Sequence, residues 1–266
     1  VLDTWFSSAL WPFAGLSEDD VKQFYPSDVL ITARDIINLW VGRMIFSGLE
    51  FLKKTPFHTT LIHATILAKD GRRMSKSLGT GVDPMNYVDA HGADATRFGV
   101  IWQTMGGQDI CWDENAVIAG RKFANKIWNA SRFVIGRINV RGQTSEDRSA
   151  QESVTRHPSS ETIAKTSADK IIIKKLETTK KAVARGIEKY EFGKALHAFY
   201  DFFWHEFCDV YLEASKAQQD ENTNQLLLSI LLESLKILHP FMPFITEEIY
   251  QRLPLENKTW LIVEKW

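Results

Sequence analysis

A short basic segment, Arg73-Met-Ser-Lys-Ser77, has the residue types that are needed to hold a polyphosphate. Arg73 can bind phosphate oxygens through two parallel hydrogen bonds, whereas the Lys76 ammonium is a compact charge on a flexible stem. The hydroxyl groups of Ser75 and Ser77 can donate further hydrogen bonds. The segment follows an apolar run and a glycine-containing turn, which predicts a loop that closes over phosphate groups. A basic, serine-rich surface turn is the alternative interpretation.

Composition places the chain among soluble globular proteins. It has 266 residues, of which 44% are hydrophobic and 24% charged, and its net charge is −1. A net charge so close to zero creates no global field that attracts nucleic acid, so an RNA contact needs a local patch of positive charge.

Cys111 and Cys208 lie far apart in the sequence, which argues against a disulfide framework and fits a reduced, cytoplasmic setting. No apolar run has the length of a membrane span, and no signal peptide or initiator Met opens the chain, so we expect a partial product.

The first part of the chain alternates strand and helix patterns. Residues 28–31 and 60–67 are predicted strands, and Ile36 to Leu52 has apolar residues at helical spacing. This order predicts a parallel βαβ unit and about half of a doubly wound sheet. Two short helices follow the loop, the first from Asp83-Pro84 to Gly92 and the second from Asp94.

The second part is predicted to be all-α. Helix patterns cover 118–140 and 169–252, while the polar segment 142–168 has too few apolar residues to bury and is predicted to be a linker or mobile loop. Residues 260–263 are predicted to form a short strand. A stripe at spacings of three and four predicts a core made of Leu196, Phe199, Phe203, Phe207 and Val210. The domain boundaries are therefore predicted at 1–117 and 118–266.

The helix at 118–140 has an uneven charge pattern. No acidic residue occurs between Asn115 and Ser145. The same stretch contains six cations: Arg121, Lys122, Lys126, Arg132, Arg137 and Arg141. At helical spacing they occupy about half the circumference, away from the apolar side chains. We predict contact with an RNA backbone, and a plain solvated face is the alternative.

The segment at residues 73–77 resembles the Lys-Met-Ser-Lys-Ser signature of class I aminoacyl-tRNA synthetases, with Arg73 in place of the first lysine. Within that class, the surroundings resemble the valyl-tRNA synthetase family. The matching stretches are Leu2–Phe13, Thr32–Ile36, Leu39–Met44, Gly107–Ile110, Phe123–Phe133, Phe203–Cys208 and His239–Glu248.

The resemblance implies an α/β half of a doubly wound, Rossmann-like nucleotide-binding fold, followed by an all-α helix-bundle anticodon-binding domain. It implies ATP-dependent activation of valine and its transfer to tRNA(Val), with ATP and Mg2+ as co-substrate and no metal site in this chain. The implied catalytic residues are Lys76 and Arg73. The implied ATP-binding residues are Met74, Ser75, Ser77, His63 and Asp35. Trp5 and Trp40 are implied to bind valine, and Lys122, Lys126, Arg132 and Arg137 to bind tRNA.

Several of these residues have other interpretations. His63 can be a hydrogen-bonded histidine near a strand end, Asp35 a helix N-cap, and each tryptophan a core residue. Ala33 and Ala64 stand where the family has glycine, which can crowd the nucleotide. His205, Cys208 and Asp209 could suggest a metal site, but only two of them are soft ligands and no second pair accompanies them, so the set is too small for zinc.

The first half of the nucleotide fold, with its His-Ile-Gly-His type motif, is not found in this sequence. We therefore expect the 266-residue chain to be inactive without that half. An isoleucyl-tRNA synthetase fragment is one alternative, although that family usually has Trp-Phe-Asp-Ser-Gly where this chain has Trp5-Phe-Ser-Ser8. A non-catalytic tRNA-binding module is the other.

Overall fold

The chain divides into two units in the computed structural model, which describes residues 2–75, 79–142, 164–218 and 220–265. Unit 1 contains the residues up to Leu67 together with Gly106–Cys111. Unit 2 contains Ala68–Met105 and the described residues from Trp112 onward. The predicted domain boundary between residues 117 and 118 remains a prediction.

Unit 1 is built on a parallel pair of strands, as predicted. Strand β1 (Ser27–Ala33) pairs with β2 (Phe57–His63), and helix α3 (Gly42–Leu52) lies between them in the sequence. Helices α1 (Thr4–Ala14) and α2 (Glu18–Phe24) precede the sheet. Val41, Met44 and Phe57 form a small buried cluster, so the apolar side of α3 packs near the start of β2.

Two predicted elements of unit 1 are less regular than the sequence suggested. The predicted strand at 60–67 is interrupted after His63, because the Thr65 amide donates to Asp109 Oδ1 at 3.2 Å. The chain then forms β3 (Ile66–Leu67), which pairs in parallel with β4 (Ile110–Cys111). The predicted helix from Ile36 begins as a 3-10 turn (Arg34–Ile36) and a π-helical turn (Ile37–Val41) before α3.

Unit 2 is a helical bundle, which confirms the predicted fold class. The Asp83 side chain caps the first helix and Gly92 ends it with a φ of +93°, as predicted. Residues 143–163 of the predicted linker lie outside the described residues, whereas Gly142 and Ser167 are helical. The helices are α4 (Pro84–His91), α5 (Ala93–Trp102), α6 (Glu114–Gly142), α7 (Ser167–Glu188), α8 (Phe192–Asp201), α9 (Glu213–Ser215), α10 (Glu221–Leu238) and α11 (Pro243–Arg252).

The predicted aromatic core is correct except at one position. The side chains of Leu196, Phe199, Phe203 and Phe207 are buried, but Val210 is 60% exposed. The reason is a π-helical segment, Phe202–Leu212, between α8 and α9. Hydrogen bonds from i to i+5 widen each turn, so spacings of three and four residues no longer keep the side chains on one face.

The predicted strand at 260–263 is wrong. Leu261–Val263 form a 3-10 turn in which only Leu261 is buried, while Ile262 and Val263 are 74% and 64% exposed. The Leu261 amide donates to Glu247 Oε2 at 2.9 Å, and no strand pairs with this segment in the part of the chain that the structure describes. The apolar run anchors the chain to α11 through one side chain.

Helices α5 and α6 approach each other at two glycines. A Cβ atom on Gly99 would lie 2.6 Å from Val117 Cγ2, and one on Gly120 would lie 2.8 Å from the Ala95 carbonyl oxygen. Both distances are too short for any larger residue without a shift of the helices. Helix α5 also reaches the start of α11, where Asp94 accepts from the Phe244 and Ile245 amides at 3.2 and 2.6 Å.

Gly120→Ala is expected to lower the free energy of unfolding by about 1–3 kcal/mol, because the methyl group must displace backbone atoms of α5. Gly136→Ala in the same helix is the matched control, since no atom of the described residues lies within 4 Å of its added Cβ. The control is expected to raise stability by about 0.5–1 kcal/mol through helix propensity. Urea unfolding followed by helical circular dichroism measures both, and equal effects of the two substitutions would contradict the close approach.

Asp169 is expected to make the bundle sensitive to acid. Burial by itself raises the pKa of this carboxyl, but hydrogen bonds from the Thr166 amide and the Tyr211 hydroxyl outweigh burial and hold the pKa below its usual value. The ionised form therefore stabilises the fold above about pH 4, and this stability is lost as the pH falls through the folded-state pKa. Asp169→Asn should flatten the decline of unfolding free energy as the pH falls below about 4. Asp201→Asn, at an exposed position, serves as control, and an unchanged pH slope in Asp169→Asn would refute the assignment.

Candidate functional site

The segment Arg73–Ser77, which the sequence predicts to bind phosphates, is called the polyphosphate loop here. Its described arm, residues 73–75, is held by Thr80, for which the sequence predicted no role. Thr80 Oγ1 accepts from the Ser75 amide at 3.0 Å and donates to the Arg73 carbonyl at 3.1 Å. The Thr80 amide donates to the Ser75 carbonyl at 3.2 Å. Arg73 is exposed and Met74 and Ser75 are half-buried, whereas Lys76 and Ser77 lie outside the described residues. The first arm of the loop is thus tied to the residue that follows Gly79.

A tight turn precedes this loop. Gly71 has a φ of +82°, a conformation that residues with a Cβ rarely adopt. Arg72 donates from its amide and its guanidinium to the Asp70 carboxylate, with a closest ion-pair distance of 2.7 Å. The side-chain hydrogen bond from Arg72 lowers the pKa of Asp70. Arg72 is therefore engaged locally, and Arg73 is the first cation of the loop itself.

The predicted nucleotide residues of unit 1 lie at or just after the carboxyl ends of the two parallel strands. In the register of β1 and β2, Ala33 lies opposite His63, and both strands end there. Asp35 follows two residues later, in the 3-10 turn, and is not its N-cap, which is Ala33. Carboxyl ends of parallel strands are the usual place for ligands in α/β sheets. The structure therefore places Asp35 and His63 at this edge of the sheet, and nucleotide binding there stays a prediction.

Hydrogen bonds order this edge. His63 Nδ1 lies 2.9 Å from the Ala64 carbonyl oxygen, so the tautomer with a proton on Nδ1 makes this bond and keeps its lone pair on Nε2. Arg34 donates to the Gly107 carbonyl at 3.1 Å and lies 3.6 Å from Asp109. Arg34 and Asp109 had no predicted role, although both lie in stretches that carry the family resemblance.

The two candidate valine-binding tryptophans are both in unit 1. Trp5 lies on α1 and is 37% exposed, with the Arg43 guanidinium 5.5 Å from its ring centre. Trp40 lies in the π-helical turn and packs partly against the buried cluster around Met44. A π-helical turn often marks a functional position because it re-aims a side chain. Trp5 is thus the more accessible ring, and Trp40 also contributes to packing.

The basic face of α6 is smaller than predicted. Lys126 forms an ion pair with Asp209 at 2.8 Å and lies 5.0 Å from the ring centre of Trp204. Arg137 donates to the Ser215 and Gln218 carbonyls, where it satisfies the end of α9. The expectation that all six cations lie away from the apolar face is wrong for these two. Arg121, Lys122 and Arg132 are exposed, and no hydrogen bond or ion pair joins them to another described residue.

The described residues contain no group of three His, Cys, Asp or Glu side chains that would hold a metal ion. Cys208 is buried, and burial raises the pKa of its thiol to about 12, which disfavours the thiolate that binds metals. His205 contacts Asp209 instead, at 3.5 Å. None of the described helices is long and apolar enough to cross a membrane.

Comparisons with known proteins match two separate ranges of the chain to protein families. Residues 1–113 match the family model "tRNA synthetases class I (I, L, M and V)", and residues 169–266 match "Anticodon-binding domain of tRNA ligase". Valine–tRNA ligases of Clostridium tetani and Geobacillus stearothermophilus are 46% and 45% identical over 100% of this chain, and that of Carboxydothermus hydrogenoformans is 43% identical over 98%. The chain spans only 29–30% of the length of these relatives.

Solved structures share the fold at lower identity. A leucyl-tRNA synthetase of Agrobacterium radiobacter in a ternary complex superposes with a TM-score of 0.78 at 21% identity, over 99% of this chain and 32% of that one. The methionyl-tRNA synthetase of Mycobacterium tuberculosis gives a TM-score of 0.70 at 17% identity, over 90% and 46%. The solved structures show the fold, and the family models together with the relatives show that the chain belongs to the class I aminoacyl-tRNA synthetases.

Proposed function

We propose that this chain is part of a valine–tRNA ligase, an enzyme that activates valine with ATP and transfers it to tRNA(Val). The observation that carries the proposal is the set of relatives with this name that match 98–100% of the chain. The loop at Arg73 and the sheet edge at His63 supply the side chains that the reaction needs. The two cysteines are free, one exposed and one buried, which fits a reducing cytoplasm.

The loop acts on the phosphates. In the activation step the valine carboxylate attacks the α-phosphorus of ATP, and pyrophosphate leaves. Charge develops on the phosphate oxygens, so placed cations supply much of the catalysis. Arg73 binds phosphate oxygens in a bidentate way and Lys76 follows the leaving pyrophosphate. Ser75 and Ser77 donate hydrogen bonds, Met74 supports the loop, and Mg2+ enters with ATP as part of the substrate.

The sheet edge holds the nucleoside. The Asp35 carboxylate accepts from the ribose hydroxyls, and His63 lies by the adenine. Ala33 and Ala64 flank this position, and their methyl groups narrow the space that glycine leaves open. Trp5 and Trp40 provide flat apolar surfaces for the branched side chain of valine.

Lys122 and Arg132 contact the tRNA backbone, together with the neighbouring Arg121. Their guanidinium and ammonium groups are exposed and not engaged with other described side chains. Lys126 and Arg137 support the same helix from within the bundle, through Asp209 and the Ser215 carbonyl. Removing these two would disturb packing as well as charge, so they are poor probes of RNA binding.

Valine-dependent ATP–pyrophosphate exchange tests the activity. We expect no exchange from the 266-residue chain alone. In unit 1, Trp11 and Phe46 are 71% and 73% exposed, and among the described strands β1 and β2 pair only with each other. Parallel sheets are normally buried, so these surfaces need further polypeptide to cover them. A chimaera in which this chain replaces the matching region of the Geobacillus stearothermophilus relative is expected to exchange. Exchange by the chain alone would contradict the need for further polypeptide, and exchange with isoleucine instead of valine would favour the isoleucyl alternative.

In that chimaera, Lys76→Ala should slow exchange by about 10²–10³-fold, the usual effect of removing one transition-state contact. Lys69→Ala is the matched control, because Lys69 is an exposed cation just before the turn and should change the rate less than about twofold. An effect of Lys76→Ala as small as that of the control would remove this lysine from the mechanism.

The triple variant Arg121→Gln, Lys122→Gln, Arg132→Gln should weaken tRNA binding by this chain and flatten its dependence on salt by up to about three units of slope. The comparison variant carries Lys170→Gln, Lys174→Gln and Lys181→Gln on the exposed side of α7. Circular dichroism checks that both remain folded. An unchanged slope in the α6 variant would make that face a solvated surface, and a loss confined to the α7 variant would move the RNA site there.

A further inference from the structure

The hydroxyl of Thr80 accepts one hydrogen bond and donates another. It accepts the Ser75 amide hydrogen at 3.0 Å, and it donates its own hydrogen to the Arg73 carbonyl at 3.1 Å. A threonine hydroxyl has one hydrogen to donate, and the Arg73 carbonyl takes it. The Thr80 backbone adds a third bond, from its amide to the Ser75 carbonyl. Both backbone groups of Ser75 are therefore held by Thr80.

We propose that Thr80 is a positioning residue for the described arm of the polyphosphate loop, residues 73–75. This inference rests on the proposed function, because it assigns Thr80 a part in phosphate contact through Arg73 and Ser75. Backbone bonds on either side of Met74 fix the peptide planes from which the Arg73 guanidinium and the Ser75 hydroxyl extend. A side chain that binds transition-state charge is effective only when its position is set in advance.

The geometry at Gly79 supports this role. Gly79 has a φ of +65°, a conformation that favours glycine, and no atom of the described residues lies within 4 Å of an added Cβ. Gly79 directly precedes Thr80, whose hydroxyl and amide both contact Ser75. Thr80 itself is half-buried, and its contacts to Arg73 and Ser75 join residues five to seven positions apart.

Two substitutions separate the hydroxyl from the shape of the side chain. Thr80→Val keeps the branched shape and removes both hydroxyl bonds, whereas Thr80→Ser keeps the hydroxyl. The control is Thr178→Val in α7, which removes a hydroxyl that donates to the Lys174 carbonyl at 2.8 Å, far from the loop in sequence. The first readout is trypsin cleavage of this chain after Arg73, quantified by mass spectrometry against cleavage after Lys53.

Thr80→Val is expected to speed cleavage after Arg73 by about tenfold, because two backbone groups lose their partners. Thr80→Ser and Thr178→Val should cleave like the parent. Equal cleavage of the parent and Thr80→Val would overturn the proposal, as would a Thr80→Ser variant that behaves like Thr80→Val.

The second readout is ATP–pyrophosphate exchange in the chimaera described above. Thr80→Val should lower kcat and kcat/KM for ATP together by about tenfold with little change in KM, the pattern of a lost transition-state interaction. Thr80→Ser should restore the rate. Faster cleavage without a change in kcat would show a purely structural bond and overturn the positioning role. If the parent chimaera shows no exchange, the proposed function fails, and the cleavage result alone then decides whether the hydroxyl holds the loop.

Discussion

Backbone contact between α5 and α6 determines how unit 2 is assembled. Gly99 and Gly120 allow the two helices to approach until the space for a Cβ is gone. At that distance Asp94 meets the amides at the start of α11, and Arg97 donates to the Pro240 and Phe241 carbonyls. A buried carboxylate at a helix start satisfies amides that have no partner within the helix. Asp94 and Arg97 therefore join α5, which follows the loop, to the rest of the bundle.

The same assembly decides which cations remain available for RNA. Lys126 and Arg137 contact Asp209 and the end of α9, and Lys180 forms an ion pair with Glu233 at 2.7 Å. Lys236 is 8% exposed and donates to the Lys265 carbonyl. Since a buried charge needs a partner, these side chains serve the fold. The exposed cations of α6 are the ones on which RNA binding depends in our proposal.

The loop and the sheet edge share one feature, which is hydrogen bonding between side chains and backbone groups. In both, polar side chains near the ends of regular elements are held by backbone carbonyls and amides, as with Thr80 at Ser75 and His63 at Ala64. Such bonds fix a side chain without using the group that would contact substrate. In the proposed function, charged groups positioned in this way need little reorganisation when charge develops on the phosphate.

The sequence by itself determined the elements whose signals are local. The apolar runs predicted parallel β1 and β2, and Asp83-Pro84 and Gly92 marked both ends of α4, because caps and periodicity act within a few residues. Only the tertiary structure showed that Arg137 turns inward, that Val210 is exposed and that residues 260–263 form no strand. Each of these depends on a partner distant in the sequence or on a π-helical change of register, which no local pattern records. Thr80 was missed for a related reason: its hydroxyl has a role only once the chain has turned back on Ser75.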